Sequence, residues 1–468
     1  MKLRRFFPIL ALAMALPRIA AADEESSATP LGLSEVLGSV DRAHPGVLGS
    51  RRDRDSARGD ALGAAGGFDT SFRTRAAGVP IGYYRSFRVD SVLEQPTPLW
   101  GTTVFAGYRI GRGDVADYDE KLLTNELGEV RLGVVVPTLR NGAIDRRRAS
   151  IERANIGQLG ADANIAATTL DTKRSGALRY WEWVAAGART KIADALLDAA
   201  LRRDEQIAKR VERGDLPPIE RQENARAILQ RQSQKISQER SFQQASIELS
   251  QFLRSASGVP VVAGTNRLPT LEAPASWPLE SYGDAVAAAV AARPDLERLA
   301  LQKAQAKVEV ELAKNQTLPA LDVQLVASKD FGNGLASRRP VELEAQIFLD
   351  IPLQNRAARG REESARATVA KVAEQERGAR DRIGADVRDA MSAIDLARAR
   401  LTVARNEVSV SQDLEKAEWA RFAAGDTTLL VVNLREQATF DARLREVDAL
   451  AECQRAVVLY RAATARLR

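Results

Sequence analysis

The sequence has 468 residues, 28% charged and 5% aromatic, with one histidine, one cysteine and a formal net charge of +6. His44 and Cys453 alone cannot build a His/Cys metal cluster or an intramolecular disulfide, and a Ser-His-Asp triad would have to use a histidine at a helix start. No P-loop, dinucleotide fingerprint or nucleophile elbow is present, so no enzyme is expected, and no catalytic, cofactor-binding or metal-ligating residue.

Residues 1–22, MKLRRFFPILALAMALPRIAAA, run from a basic start through a short apolar stretch to a small-residue end, the pattern of a cleaved secretory signal peptide. Removing its four basic residues lowers Lys plus Arg from 68 to 64 against 62 Asp plus Glu, a net charge of +2. A nucleic-acid partner thereby loses its electrostatic support. No later apolar run is long enough to cross a bilayer as a helix.

The mature chain opens with LSEVLGSVDRAHPGVLGS, an apolar-spaced helix broken by Pro45, its pattern covering Ser34–Ala65. Strand-like alternation follows at Phe68, Thr70, Phe72 and Thr74. A long insert, Gly78 to Val130, then offers at least one hairpin, including Thr102–Ile110, whose placement the pattern leaves open. Its Tyr83, Tyr84, Trp100 and Tyr108 suit either a membrane interface or buried packing. A strand with Val130, Leu132, Val134 and Val136 on one face stops at Pro137, and VVVPTLRNGAIDRRRAS turns into an arginine-rich helix. The helical pattern of Ala143–Arg213 covers 71 residues, about 105 Å. It breaks at Gly214 in GDLPP, and a shorter helix, Ile219–Leu253, returns.

After the Pro/Gly/Ser-rich stretch 255–280 the same order recurs. YGDAVAAAVAARPDLERL breaks at Pro294, as the first helix does at Pro45. Strands follow at Leu321–Leu325 and Val341–Ile351, and FLDIPLQNRAARGREES repeats the strand–proline–asparagine–helix junction, with Pro352 and Asn355 answering Pro137 and Asn141. A 68-residue helical stretch, Ala357–Ala424, breaks at Gly425 and is followed by a helix over Leu429–Leu467. These landmarks divide the chain into a first repeat, 23–254, a linker, 255–280, and a second repeat, 281–468. In each repeat two shorter helices laid end to end match one long one, which predicts rods packed side by side. Ile383, Val387, Ala390, Ile394, Ala397, Leu401, Ala404 and Val408 step by four and three, the seam of a coiled coil.

Alternating strands fit a periplasmic sandwich or a membrane barrel. Two strands per repeat make four per chain, too few to close a barrel, and open edges cannot exist in lipid. Strands in a membrane would therefore require several chains to share one barrel. Each proline junction then marks a strand leaving the bilayer as a long periplasmic helix.

The duplicated order, together with GDLPPIERQENARA and GDTTLLVVNLREQATFDARL at the helix breaks, resembles the TolC-type outer-membrane efflux protein family over essentially the whole mature chain. The resemblance implies an α+β membrane protein of duplicated helix–strand–helix units. It implies a homotrimer with one shared 12-stranded β-barrel, continued by a long α-helical coiled-coil tunnel through the periplasm. Such a duct sits in the cell outer membrane and passively conducts substrates in a tripartite efflux or type I secretion system. An inner-membrane pump (RND, ABC or similar) and a periplasmic adaptor would be its partners. By the same resemblance the helix turns form the adaptor-docking tip: Gly214 and Gly425, with Arg213, Asp215 and Asp426 as candidate polar contacts. The alternative is that both glycines only reverse the chain. Where relatives narrow the tunnel with aspartates, this chain has Val431 and Leu434, with Glu220 at the equivalent place of the first repeat. These three form a candidate constriction, acidic or apolar, or else Val431 and Leu434 are ordinary coiled-coil core. The alternative for the whole chain is a periplasmic coiled-coil adaptor or scaffold.

Overall fold

The computed structural model describes residues 29–467 except Leu279. The signal peptide expected at 1–22 lies outside the described residues. Helices α1 (Leu33–Ala43) and α2 (Pro45–Ala65) lead into strands β1 (Ser71–Val79), β2 (Ser86–Pro96), β3 (Thr103–Gly113) and β4 (Glu129–Pro137), then the long α3 (Arg146–Glu212) and α4 (Pro218–Ser250). The second series runs α5 (Tyr282–Ala292), α6 (Pro294–Asn315), β5 (Ala320–Asp330), β6 (Glu342–Asp350), the long α7 (Arg356–Ala424) and α8 (Leu429–Ala463).

The two early prolines do the same work. Proline lacks an N–H and pushes the residue before it out of the helical region. His44 and Arg293 accordingly take extended backbone, and Pro45 and Pro294 each start a new helix in its first turn. His44 adds a cap, its Nδ1 accepting the Gly46 N–H at 3.2 Å.

All eight seam positions of α7 are buried, from Ile383 to Val408. Seven of them, Ile383 to Ala404, pack in one cluster with Ala449, Cys453, Ala456 and Tyr460 of α8 and Ala285 and Ala289 of α5. The alanines at 390, 397 and 404 let the helices approach closely, and Cys453 sits inside this seam with its Sγ 3.4 Å from the Ala397 carbonyl. A second core centres on the fully buried Trp183 of α3, with Tyr180, Phe242, Leu249 and Val36 around it. The Ser255–Glu280 stretch lies along the helices: the Leu31 N–H donates to the Arg267 carbonyl at 2.8 Å, and Leu271 packs against three separate cores.

The strands form one antiparallel meander in the order β1-β2-β3-β4-β5-β6. The alternation predicted four strands; β1, β4, β5 and β6 fill that expectation, and the insert supplies two more, β2 and β3, between β1 and β4. The sheet of one chain therefore has six strands, where the twelve-strand count for a trimer assumed four. Paired residues point to the same side, so the register sorts the sheet into two faces. Phe72, Leu93, Val104, Leu132, Leu325 and Leu343 lie on one face, and all are exposed. Arg73, Asp90, Arg109, Arg131, Gln324 and Glu344 lie on the other.

At the junctions Asn141 (φ 71°) and Asn355 (φ 49°) both adopt the left-handed conformation that asparagine tolerates best after glycine. Both are held by the turn that ends α6. The Asn141 N–H donates to Asn315 Oδ1 at 2.7 Å, Gln316 Nε2 donates to Asn141 Oδ1 at 2.8 Å, and Asn355 Nδ2 donates to the Thr317 carbonyl at 2.7 Å.

Candidate functional site at the helix turns

The breaks after α3 and α7 are built alike. Gly214 (φ 77°) and Gly425 (φ 85°) take the left-handed conformation that closes a helix C-terminus. The Asp215 N–H donates to the Arg210 carbonyl at 2.8 Å, and the Asp426 N–H to the Arg421 carbonyl at 2.9 Å, the same backward bond in each turn. A Cβ on either glycine would meet nothing within 4 Å, so both turns face open space. Arg213 and Asp215 form an exposed pair at 3.5 Å, and Asp426 is exposed. The structure thus brings Arg213, Gly214 and Asp215 to one solvent-facing turn, and Gly425 and Asp426 to the other.

The two turns are packed together. Ile207 of α3, Phe422 of α7, and Leu429 and Val432 of α8 form one buried cluster, with Val211, Leu216 and Trp419 against it. Glu220, in the first turn of α4, reaches the second repeat: its Oε2 accepts the Leu429 N–H at 3.1 Å. A carboxylate at the start of α8 satisfies an otherwise orphaned donor and suits the positive end of the helix dipole. Within one chain Val431 is half-buried, whereas Leu434 is 62% exposed.

Further along the bundle lies a buried polar network. Arg203 of α3, Arg231 of α4, and Asn433 and Glu436 of α8 are each less than a tenth exposed. Arg203 Nη1 donates to Asn433 Oδ1 at 2.9 Å, its guanidinium also donates to Glu436, and Arg231 Nη2 donates to Glu436 Oε2 at 2.5 Å. The Arg203 guanidinium lies over the Trp419 ring, 4.7 Å from its centre. Burial pulls the Arg231 pKa down, with the Glu436 charge opposing. One carboxylate thus ties α8 to both α3 and α4. The sequence reading missed this network, although a signal was present: Arg203 precedes buried Ile207 by four residues, Arg231 follows buried Ala227 by four, and Glu436 follows buried Val432 by four.

Among the described residues no helix is long and apolar enough to cross a membrane, and no group of three or more His, Cys, Asp or Glu side chains is placed to hold a metal. The sheet, with its exposed apolar face, is the part suited to lipid.

The sequence profile of the outer membrane efflux protein family matches residues 285–466. No curated protein matches the sequence. Among solved structures, a membrane protein from Pseudomonas aeruginosa superposes with a TM-score of 0.67 at 16% identity, covering 92% of this chain and 93% of that one. The outer membrane protein VceC from Vibrio cholerae gives 0.63 at 15%, covering 92% and 95%. The MtrE outer membrane channel of Neisseria gonorrhoeae, in its open state, gives 0.61 at 15%, covering 95% and 94%. At these identities the likeness is one of fold, and it extends over nearly the whole length of each chain.

Proposed function

We propose that this chain is a TolC-type outer membrane efflux protein, an outer-membrane channel reaching into the periplasm, and that it serves as the passive exit duct of a tripartite efflux or type I secretion system; the family profile over residues 285–466 and the shared fold support this. Three copies share one barrel and one tunnel, and the energy for transport comes from an inner-membrane pump. A periplasmic adaptor joins pump and duct at the helix turns. The observation that carries this is the continuity, in one chain, of a sheet with an exposed apolar face and two helices of 67 and 69 residues, each about 100 Å long. The division into repeats 23–254 and 281–468 about a linker 255–280 fits that continuity, since each repeat delivers one long helix from one strand. Support comes also from the shared left-handed asparagines and glycines.

In this proposal Gly214, Asp215, Arg213, Gly425 and Asp426 form the docking tip, because both turns are open to solvent. Val431 and Leu434 line the constriction, and Glu220 acts on it from outside by holding the start of α8. Electron microscopy of the detergent-extracted protein tests the duct: a tapered hollow particle with threefold symmetry is expected. A soluble monomer obtained without detergent would refute it in favour of a coiled-coil scaffold. For the constriction, Leu434→Asp in planar bilayers is expected to change single-channel conductance and its cation preference. An unchanged channel would remove Leu434 from the pore.

A further inference from the structure

The hairpin β2–β3 was the part of the sequence with no assigned place, and the sheet register now places it. We infer that the hairpin is a full part of the barrel wall, so that three copies close a barrel of eighteen strands. The inference rests on the shared-barrel reading above and extends it.

Four observations converge. First, the hairpin cannot be removed without opening the wall. β2 pairs with β1 over nine residues and β3 with β4 over seven, whereas β1 and β4 are not neighbours. Second, the mainly apolar face continues through the hairpin: Phe87, Val89 and Leu93 on β2 and Val104, Ala106 and Ile110 on β3, with Ser91 and Tyr108 among its polar members, extend the lipid side of β1 and β4. Third, the opposite face is tied together by charge. Arg131 of β4 reaches Asp90 of β2 at 2.7 Å, passing over β3 at Gly107, which has no side chain in the way. Arg109 of β3 meets Glu129 of β4 at 2.5 Å, and Arg73 of β1 pairs with Glu94 of β2. Charges directed to one face and hydrocarbon to the other are what a wall between water and lipid requires.

Fourth, the hairpin has the right height. β2 and β3 are eleven residues each, and tilted strands of about 9–11 residues cross the hydrocarbon layer. Its lower turn, Thr97–Thr102, sits at the strand-to-helix junction: a Cβ on Gly101 would fall 2.7 Å from the Asn141 carbonyl. Trp100, 70% exposed, projects from that turn at the level where indoles anchor in a membrane interface.

The ring closes through the two edges. With six strands in an antiparallel meander, β1 and β6 run in opposite directions, so β6 of one copy can pair antiparallel with β1 of the next, a head-to-tail contact that closes into a ring. Barrel diameter grows roughly linearly with strand number, so the wall encloses a bore about one and a half times that of a twelve-stranded barrel. The narrowest passage is then set by the helix turns and not by the barrel.

Cryo-electron microscopy of the full chain in lipid nanodiscs tests this. Eighteen strands around a threefold axis is the expected result. A threefold particle with twelve strands in the wall and residues 86–113 outside it would overturn the inference while leaving the duct intact. Particles without a closed ring would overturn both. A second measurement does not depend on resolving strands. Leu93→Cys and Val92→Cys, each in a Cys453→Ala background, place a fluorescent label on opposite faces of β2. Nitroxide lipids should quench the Leu93 label several-fold more than the Val92 label, and iodide the reverse. Equal quenching at both positions would show that the hairpin does not separate lipid from lumen.

Discussion

Replacing Glu436 by glutamine keeps the shape of the side chain and removes the charge that holds Arg203 and Arg231. Both guanidiniums are about 5% exposed, and Arg231 Nη1 and Asn433 Nδ2 are already buried without a hydrogen-bond partner. The network therefore has no spare acceptor to take up the loss. Breaking a buried pair from one side costs about 3–5 kcal/mol, because the remaining charge stays desolvated. In local opening equilibria that corresponds to roughly 10²- to 10⁴-fold. Hydrogen exchange followed by mass spectrometry on the assembled protein reads it directly: amides of 429–440 should lose at least about two orders of magnitude of protection, while the barrel strands keep theirs. Glu446→Gln is the control. Its partner Arg405 lies 3.6 Å away with a half-exposed side chain, so about 0–1 kcal/mol is at stake. A second variant separates charge from packing. Arg203→Met, Arg231→Leu and Glu436→Met together should restore protection to near the wild-type level, since well-packed apolar groups often replace a buried ion network without loss. If Glu436→Gln behaves like Glu446→Gln, the arginines are hydrated in solution and the reasoning fails.

Gly425→Ala meets no steric obstacle, so its cost is the left-handed backbone alone, about 1–2 kcal/mol, read as faster proteolysis at the turn; Gly425→Asn should cost less. Ile394→Ala removes a 5% exposed seam residue, which should cost about 2–5 kcal/mol and appear as exchange along α7 and α8. His44 supplies a pH test. Burial first, and Arg254 second, lower its pKa, so the folded state binds its proton less readily than the unfolded state does. Stability from this group is therefore complete above the unfolded value of about 6.5 and is lost as pH falls through it. His44→Gln should flatten that part of the stability profile between pH 7.5 and 5.5, and an unchanged slope would exclude His44 as its source.

The helices were legible because their signals are local. The seam of α7 steps by four and three in plain view, and the prolines and glycines that break the rods act on their own neighbours. The glycine turns could be read for the same reason, since a left-handed cap needs only the residue that tolerates it. The hairpin was legible only as a possibility. Along β2, Ser91 falls on the apolar face and Val92 on the charged face. Along β3, Phe105 points inward, its ring occupying the space left by Gly133. Both blur the alternation over the stretch where it was sought. The bond from Glu220 to Leu429 and the Arg203–Glu436–Arg231 network join residues about two hundred positions apart, and no local period encodes them. Charged residues continuing a buried stripe are the trace they leave.

The sheet with one bare apolar face and two bare edges has a consequence for how the protein comes into being. A single copy has no comfortable solvent: water rejects the face, and lipid rejects the unpaired backbone of β1 and β6. Insertion and assembly must therefore be one event, and copies are obliged to find one another at the membrane. This makes the ring open to poisoning. A chain with proline in β6 would still offer β1 to a neighbour but could not complete the circle, so in the proposed ring of three copies, co-expressed at equal levels, only about one ring in eight would be free of it. A loss-of-function change at this edge should behave as a dominant one.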